Sequence, residues 1–322
     1  MDDFLIKAKA VVIGHAVADA LGVPVEFKSR SYLKRKPVTD MQGYGTYGVP
    51  KGSWSDDTSM SVCALDAIAQ DGKINFDLTM INFCRWYYKD EFTPTGETFD
   101  VGNTCSYAID NYYEKKTPST KSGLTNERSN GNGSLMRIHP FALYLYNTNL
   151  PISAKIEIIE MASALTHAHE RSKIACGIYS FILWELLKNP SKESVVSGLK
   201  IAREYYEKSA EISHYARLFN RIGNIYGEFA DSLCEDEIKS SGYVVDTIEA
   251  CIWCLLETDN YDDCVLKAVN LGDDTDTVGA IVGGLAGALY GYDAIKEEWK
   301  NTLLKREYIE SLCEKAFGGK NG

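Results

Sequence analysis

Apolar residues recur along most of the chain at the three- and four-residue spacing of an amphipathic helix. Runs of period-two alternation, which are typical of strands, are nearly absent. The spacing predicts thirteen helices: Lys7–Leu21, Asp57–Gln70, Phe76–Tyr88, Phe99–Tyr113, Ser134–Tyr146, Ser153–Thr166, Arg171–Leu187, Lys192–Lys208, Tyr215–Ala230, Val244–Leu256, Tyr261–Leu271, Asp274–Tyr290 and Arg306–Ala316. The pattern therefore predicts an all-α fold.

The segments between these helices carry the residues that interrupt helical structure. Six prolines fall there, where a missing amide and a fixed φ are tolerated: Pro24, Pro50, Pro94, Pro118, Pro151 and Pro190. The longest irregular stretch is Lys28–Lys51, and long loops in compact domains often bind ligands or cover a site. With no repeat and no low-complexity linker, we expect one compact domain over residues 1–322 with its site on interhelical loops.

The composition of the chain argues against nucleic acid and membranes as partners. The 322 residues are 45% hydrophobic and 25% charged, and the net charge is −11. This negative charge argues against a nucleic-acid surface, which needs basic patches, so a nucleic-acid partner is not expected. The longest small, apolar run, Val278–Tyr290, is shorter than the ~20 residues that span a bilayer, so we expect no membrane span. Its Gly283-x-x-x-Gly287-x-x-x-Gly291 pattern predicts close packing between helices in the core.

The cysteines and the first residues favour the cytoplasm. Nine cysteines show no framework spacing, and an odd number suits a reducing compartment. The acidic start Met1-Asp2-Asp3 lacks the basic region of a signal peptide. Cys251 and Cys254 form a C-x-x-C pair inside an apolar helical pattern, which predicts buried structural thiols. A redox or zinc role is the alternative, but no histidine or second pair lies near them in sequence.

Two acidic segments, Gly52–Thr58 and Leu271–Thr277, each run directly into an apolar helix. Adjacent carboxylates repel one another, and buried carboxylates are costly unless they are paired or bound to metal. Mg²⁺ and Mn²⁺ prefer oxygen ligands and would remove both costs. The alternative is N-capping, but one cap per helix is enough. The surplus carboxylates therefore favour a site for two divalent cations.

Five motifs, in order along nearly the whole chain, resemble those of the ADP-ribosylglycohydrolases. They are Gly14–Phe27, Gly52–Met60, Asn130–Arg137, Thr166-His167 and Gly272–Tyr290. The resemblance implies two cations, Mg²⁺ or Mn²⁺, and the following ligands: Ser55, Asp56, Asp57, Asp274, Asp276 and Thr277. One departure is Asp273, which stands where the family usually has glycine and bears on the geometry of the loop.

The resemblance also implies candidate catalytic carboxylates. Glu26 matches a family glutamate that reaches the metal site and moves as substrate enters, although a solvated loop glutamate is the alternative. Asp100 lies in a Phe-Asp-Val-Gly segment similar to that of the arginine-directed branch, although it could be an ordinary carboxylate at a helix N-terminus. Asp57 is the third candidate for proton transfer. Asp19, near the end of a helix, is expected to bond neighbouring loops.

A candidate ligand-binding loop precedes the helix predicted from Ser134. We expect its residues to present backbone N–H groups and a helix N-terminus to a diphosphate, although an ordinary turn and cap is the alternative. The resemblance adds a histidine beside the diphosphate and ribose, whereas His169 is expected to be polar surface. The candidate substrate-binding residues are Ser129, Asn130, Asn132, Gly133 and His167.

The function implied by the resemblance is metal-dependent hydrolysis of the bond between ADP-ribose and an acceptor. Asp100 and its neighbours favour ADP-ribosyl-arginine on a protein substrate. Serine linkages, O-acetyl-ADP-ribose and ADP-ribosylated nucleic acid are alternatives. A crystallin-like relative without activity would have lost metal ligands, and all six positions are occupied here. An immunity protein that blocks a toxin by binding would need a large exposed patch. We expect a monomer.

Overall fold

The computed structural model describes residues 3–208, 219 and 234–319. The predicted helix Tyr215–Ala230 lies outside the described residues. Within them the chain forms fourteen α-helices and no β-strand. These helices are α1 Asp3–Gly22, α2 Arg30–Arg35, α3 Asp56–Asp71, α4 Phe76–Lys89, α5 Asn103–Tyr113, α6 His139–Tyr146, α7 Ile152–Ala164, α8 Glu170–Lys188, α9 Lys192–Tyr206, α10 Val244–Glu257, α11 Tyr261–Asn270, α12 Thr275–Tyr290, α13 Glu297–Thr302 and α14 Arg306–Phe317. The all-α prediction is confirmed.

Two short helices were not predicted because each is too short to show a periodic apolar face. One is α2, within the irregular stretch 28–51, where the Ser29 side chain accepts a hydrogen bond from the Tyr32 N–H and caps the helix. The other is α13, whose Trp299 is buried in the core. Single 3₁₀ turns connect several of the helices, including Val23–Val25 directly after α1.

The helix predicted from Ser134 begins five residues later, at His139. Residues 133–137 form turns. The reason is Pro140, which lacks an N–H donor and would clash with the preceding turn inside a helix, but fits the first turn of α6. The prediction that Asn130–Gly133 leads directly into a helix N-terminus was therefore wrong.

The helix predicted from Phe99 also begins later, at Asn103. Asp100 has φ = 53°, in the left-handed region, which ends any helical path at that residue. Gly102 occupies the cap position without a side-chain hydrogen bond. Asp100 is thus a loop residue, and the alternative of a helix N-terminal carboxylate was wrong.

The core is built around α1 and α12, which pack backbone to backbone. A Cβ on Gly14 would lie 2.5 Å from the Gly283 carbonyl oxygen, and one on Gly287 would lie 2.0 Å from the Ala10 carbonyl oxygen. Only glycine permits this approach, as the glycine pattern predicted. The pairing sets the N-terminus of α12 against the C-terminus of α1, because a Cβ on Gly22 would lie 2.4 Å from the Asp276 Cα atom.

The other helices pack around this central pair. The chain's last helix, α14, contacts α1 and α3, while α10 and α11 cover α12 from another side. The helices α6 to α9 follow one another, each against the next, and α8 reaches α12. This arrangement brings the first turns of α3 and α12 together with the end of α1.

The core also accounts for the cysteine pair and the apolar run. Cys251 and Cys254 lie within α10 and are fully buried, as predicted for structural thiols. In the described part of the chain, no helix combines the length and apolar character that crossing a bilayer requires.

Candidate active site

Asp19, on the last turns of α1, organises the first acidic segment. Its carboxylate accepts hydrogen bonds from the backbone N–H of Ser55 at 2.9 Å and of Thr58 at 3.1 Å, and from the Thr58 hydroxyl at 2.6 Å. A fully buried carboxylate with this many donors holds the start of α3 against α1. As expected from the sequence, Asp19 bonds the neighbouring loop.

The capping function in α3 belongs to Ser55 and not to the two aspartates after it. The Ser55 hydroxyl accepts a hydrogen bond from the Asp57 N–H at 3.3 Å and donates to an Asp57 carboxylate oxygen at 2.9 Å. Asp56 and Asp57 lie in the first helical turn, and both are buried. Their carboxylates are not required as caps.

The second acidic segment reaches the first through Thr277. The Thr277 hydroxyl lies 3.4 Å from the Asp57 carboxylate, across 220 residues of sequence. Asp274 occupies the cap position of α12 but makes no side-chain capping bond, and its carboxylate instead accepts from the Asn132 amide at 2.7 Å. Asp276 is fully buried, one of its oxygens accepting from the Thr277 N–H at 2.9 Å.

The backbone conformation of the turn before α12 explains why the family usually has glycine at position 273. Gly272 and Asp273 have φ values of 84° and 60°, both in the left-handed region, where aspartate is tolerated better than most residues. Asp273 is exposed, and its backbone pairs with the glutamate loop, since Phe27 N–H donates to Asp273 O and Asp273 N–H donates to Lys28 O. Aspartate at position 273, where the family usually has glycine, is therefore compatible with this turn.

Arg30 fixes the same turn from α2. Its guanidinium donates to the backbone carbonyl oxygens of Leu271, Glu235 and Ile238. Three charge-assisted bonds to two separate segments hold the second acidic loop in place. Sequence reasoning missed this residue, although it lies in the irregular stretch that indicated a binding loop.

Glu26 projects into the site from the loop after α1. The residue is 4% exposed, and its carboxylate accepts a hydrogen bond of 2.5 Å from the Tyr47 hydroxyl. The Thr46 hydroxyl donates to the Glu26 backbone oxygen at 2.8 Å. The alternative of a solvated loop glutamate was wrong, because this residue is buried and its side chain is held.

Tyr47 also links the glutamate loop to Asp100. Its ring lies against that of Phe99, with the centroids 5.0 Å apart. Asp100 is half-buried at the edge of the site, in a backbone conformation that costs energy for a residue other than glycine. Tyr47 was not singled out from sequence, since only the fold brings it to both carboxylates.

Five carboxylates converge where these segments meet. One oxygen each from Asp19, Asp57 and Asp276 lies within 4.8 Å of the other two, and the same holds for Glu26, Asp100 and Asp276. Asp276 belongs to both groups. Of the other expected ligands, Asp56 and Asp274 lie outside the two groups.

The donor set fits divalent cations. Asp57 Oδ1 and Asp276 Oδ2 are buried and have no hydrogen-bond partner in the protein. Unpartnered buried carboxylate oxygens are rare because they forfeit the solvation of a charge. Hard cations with oxygen ligands are the group that would satisfy them.

Without cations the site disfavours the ionised form of these carboxyl groups. Burial raises the pKa of Asp56, Asp57 and Asp276 well above the ordinary range, and the neighbouring carboxylates raise it further. Burial, followed by the charge of Asp100, raises the pKa of Glu26 to about 9. Burial raises the pKa of Asp19 to about 7, despite the hydrogen bonds that oppose it.

We expect the metal-free protein to lose stability as the pH rises from 6.5 to 8.5. A carboxyl group with a raised folded-state pKa stabilises the fold below its unfolded value, about 4, and loses that contribution as pH rises through the folded value. For Asp19 and Glu26 the loss spans pH 4 to about 9. In EDTA the melting temperature should fall by at least ~3 °C over this interval. A melting temperature that is constant or rises in EDTA would contradict this assignment of protons.

The Asn-Gly loop lies beside the second acidic segment. The Asn132 amide donates to Asp274 and to the Thr247 hydroxyl, so it orients a candidate ligand. The Asn130 amide donates to the Glu127 backbone oxygen and shapes the loop. Ser129 is buried at the edge of a cavity of about 400 Å³ that is also lined by Asn103 and Arg128.

The two histidines after α7 have different surroundings. His167 is buried, with its ring against the Asn-Gly loop, because a Cβ on Gly133 would lie 2.9 Å from His167 Cε1. His169 is also buried and caps α8, accepting from the Arg171 N–H at 3.2 Å. His169 is therefore not the surface residue that the sequence predicted.

Comparisons with known proteins agree with this fold. The sequence profile described as ADP-ribosylglycohydrolase matches residues 1–322. The ADP-ribosylarginine hydrolase Tri1 of Serratia proteamaculans (strain 568) is 35% identical over 314 residues, which are 97% of this chain and 79% of that protein. The ADP-ribosyl-[dinitrogen reductase] glycohydrolase of Rhodospirillum rubrum is 30% identical over 300 residues, 92% of this chain and 90% of that protein.

A solved structure titled "ADP-ribosylglycohydrolase-related protein complex" has the same fold. It is 28% identical to this chain, covers 98% of it and 99% of its own length, and superposes with a TM-score of 0.81. Fold and sequence together define a hydrolase of glycosidic bonds. The chain belongs to the ADP-ribosylglycohydrolase family.

Proposed function

We propose that the protein releases ADP-ribose from modified arginine side chains of a protein substrate, with two divalent cations, Mg²⁺ or Mn²⁺, in its site. The observation that carries this proposal is the convergence of Glu26 and Asp100 on Asp276, with the unpartnered Oδ1 atom of Asp57 beside it. The relative from Serratia, whose name specifies ADP-ribosylarginine, supports the choice of linkage.

The cations would be held by side chains with oxygen ligands at the N-termini of α3 and α12. Asp57 and Asp276 supply the unpartnered oxygens, and Asp276 would be shared because it belongs to both carboxylate groups. Ser55, Asp56, Asp274 and Thr277 complete the expected set. When bound, the cations would hold the ribose hydroxyls and lower the pKa of the attacking water.

The remaining carboxylates would act on the sugar and the leaving group. Asp100, half-buried at the edge of the site, can accept paired hydrogen bonds from a guanidinium. Glu26 or Asp57 can take or give the proton that hydrolysis moves. Positive charge at C1″ would be stabilised by these carboxylates as it develops in an oxocarbenium-like transition state.

The decisive assay measures release of ADP-ribose from arginine-, serine- and nucleic-acid-linked substrates and from O-acetyl-ADP-ribose. We expect the highest kcat/KM on ADP-ribosyl-arginine, activity with Mg²⁺ or Mn²⁺, and none in EDTA. Full activity in EDTA would reject the metal proposal. A preference for another linkage would reject the arginine proposal and leave the family assignment in place. If none of the four substrates is hydrolysed, the alternatives of an inactive crystallin-like relative or an immunity protein would be favoured.

Crystals soaked in Mn²⁺ should show two anomalous peaks in each molecule. Both should lie within about 2.2 Å of an Asp276 carboxylate oxygen, the usual distance for a small hard cation. This follows from the position of Asp276 in both carboxylate groups. A single peak, with both acidic loops ordered, would contradict a binuclear site.

We further propose that the protein acts as a monomer in the cytoplasm. The odd number of cysteines supports the reducing compartment. Sedimentation of the purified protein at micromolar concentration tests the oligomeric state, and a dimer would contradict it.

A further inference from the structure

A buried guanidinium lies beneath the Asn-Gly loop. Arg137 is fully buried, and its Nη1 and Nη2 atoms donate to the Ala162 backbone oxygen at 3.2 and 3.3 Å. Its Cζ atom lies over the Phe83 ring, 4.8 Å from the centroid. Among the described residues no carboxylate forms an ion pair with it. A buried cation without an acidic partner is costly, so its indirect contact with the candidate site residue His167 is informative.

That contact is a relay of two hydrogen bonds, from Arg137 to Thr166 and between Thr166 and His167. Arg137 Nη2 donates to Thr166 Oγ1 at 2.8 Å, and the same hydroxyl lies 2.9 Å from His167 Nδ1. A guanidinium can only donate, so Thr166 Oγ1 accepts from Arg137 and retains its own proton. The imidazole nitrogen is a much better acceptor for that proton than the nearby Cys105 sulfur.

The relay therefore gives Nδ1 the role of acceptor. Burial, followed by the positive charge of Arg137, lowers the pKa of His167 to about 3, so the ring is neutral and carries one proton. If Nδ1 accepts from Thr166, that proton is on Nε2.

Nε2 faces the loop. A Cβ on Gly131 would lie 3.6 Å from His167 Nε2, and a Cβ on Gly133 would lie within 3.0 Å of both His167 Cε1 and Cys105 Sγ. The two glycines thus hold the ring edge against the loop backbone. Nε2 makes no hydrogen bond to any residue that the structure describes, so its proton is available to a ligand on the loop.

We propose that Arg137 and Thr166 are positioning residues that hold His167 in the Nε2–H tautomer, so that the ring donates a hydrogen bond to the diphosphate of the ligand. The inference rests on the proposed function only for the identity of that ligand. The unpaired charge of Arg137 also favours binding of the diphosphate, because it makes the electrostatic potential beneath the loop more positive.

The test combines ¹⁵N spectra of the imidazoles with calorimetry, using free ADP-ribose as the probe. The wild-type His167 signals, assigned with His167→Asn, should show a protonated Nε2 and an unprotonated Nδ1. Thr166→Val keeps the shape but removes the hydroxyl, and should introduce the Nδ1–H tautomer and weaken ADP-ribose binding by roughly tenfold. Thr166→Ser keeps the hydroxyl and should restore both within about threefold.

A wild-type spectrum with the proton on Nδ1 would overturn the proposal without any variant, which matters if Thr166→Val does not fold. It would also be overturned if Thr166→Val kept the wild-type tautomer and affinity, or if Thr166→Ser failed to restore them. Because free ADP-ribose is not hydrolysed, these outcomes do not depend on which linkage the protein cleaves.

Discussion

Replacing Asp276 with asparagine is expected to lower kcat/KM for ADP-ribosyl-arginine by at least ~100-fold, a loss of about 2.7 kcal/mol in transition-state stabilisation. The amide keeps the shape of the side chain but removes the charge that a hard cation needs. Asp276 should be the most sensitive position because its carboxylate belongs to both groups, with Asp19 and Asp57 and with Glu26 and Asp100. Bound Mn²⁺ per molecule should fall in parallel.

The fold should survive this change. In the metal-free state burial among like groups raises the pKa of the Asp276 carboxyl, and a neutral amide never places a charge there as the pH rises. The variant in EDTA should therefore melt at or above the wild-type temperature. Asp273→Asn is the matched control, since it makes the same chemical change on an exposed side chain three residues away, and should retain activity within about twofold. Near-normal turnover of Asp276→Asn with unchanged metal content would contradict its assignment as a ligand.

Replacing Asp100 with alanine is expected to lower kcat/KM on ADP-ribosyl-arginine by ~100-fold or more. This loss is within the range typical of a residue that acts in general acid–base catalysis. Affinity for free ADP-ribose should stay within a few-fold, because Asp100 is expected to act on the guanidinium and the transition state. The wild type should hydrolyse the arginine linkage faster than the serine linkage. The measurements are kcat/KM on both linkages and calorimetry with ADP-ribose.

The left-handed backbone of Asp100 requires a second variant. Alanine is disfavoured at φ = 53°, whereas asparagine tolerates it, so Asp100→Asn separates loss of charge from a change of loop conformation. Both variants should be impaired to a similar degree. Glu97→Ala, on an exposed side chain of the same loop, is the control and should remain active. An Asp100→Ala enzyme that cleaves the arginine linkage at full speed would overturn the arginine-directed assignment.

The local patterns in the sequence predicted the helices well wherever they were long and periodic. The predicted Phe76–Tyr88 and Val244–Leu256 differ from α4 and α10 by one residue at the C-terminus. The failures occurred where one residue's backbone chemistry outweighs periodicity. Pro140 delays the start of α6, and the left-handed Asp100 delays the start of α5.

The acidic residues of the site were also visible in sequence, but their partners were not. Carboxylates crowded at a helix start indicate metal whatever the fold, because their repulsion is a local property. The bonds of Tyr47 to Glu26 and of Arg30 to Leu271 depend instead on which loops the packing brings together. Neither tyrosine nor arginine is unusual in a loop, so nothing in the local sequence distinguishes them.

By itself the sequence determined the all-α class, the two acidic segments and the family to which the chain belongs, because helical periodicity and short motifs are properties of neighbouring residues. Only the tertiary structure decided which carboxylates converge. It joined Glu26 and Asp100 to Asp276, and it turned the Asn132 amide towards Asp274. The physical reason is the close approach of α1 and α12, since contacts across more than a hundred residues are fixed by the packing of the helices that carry them.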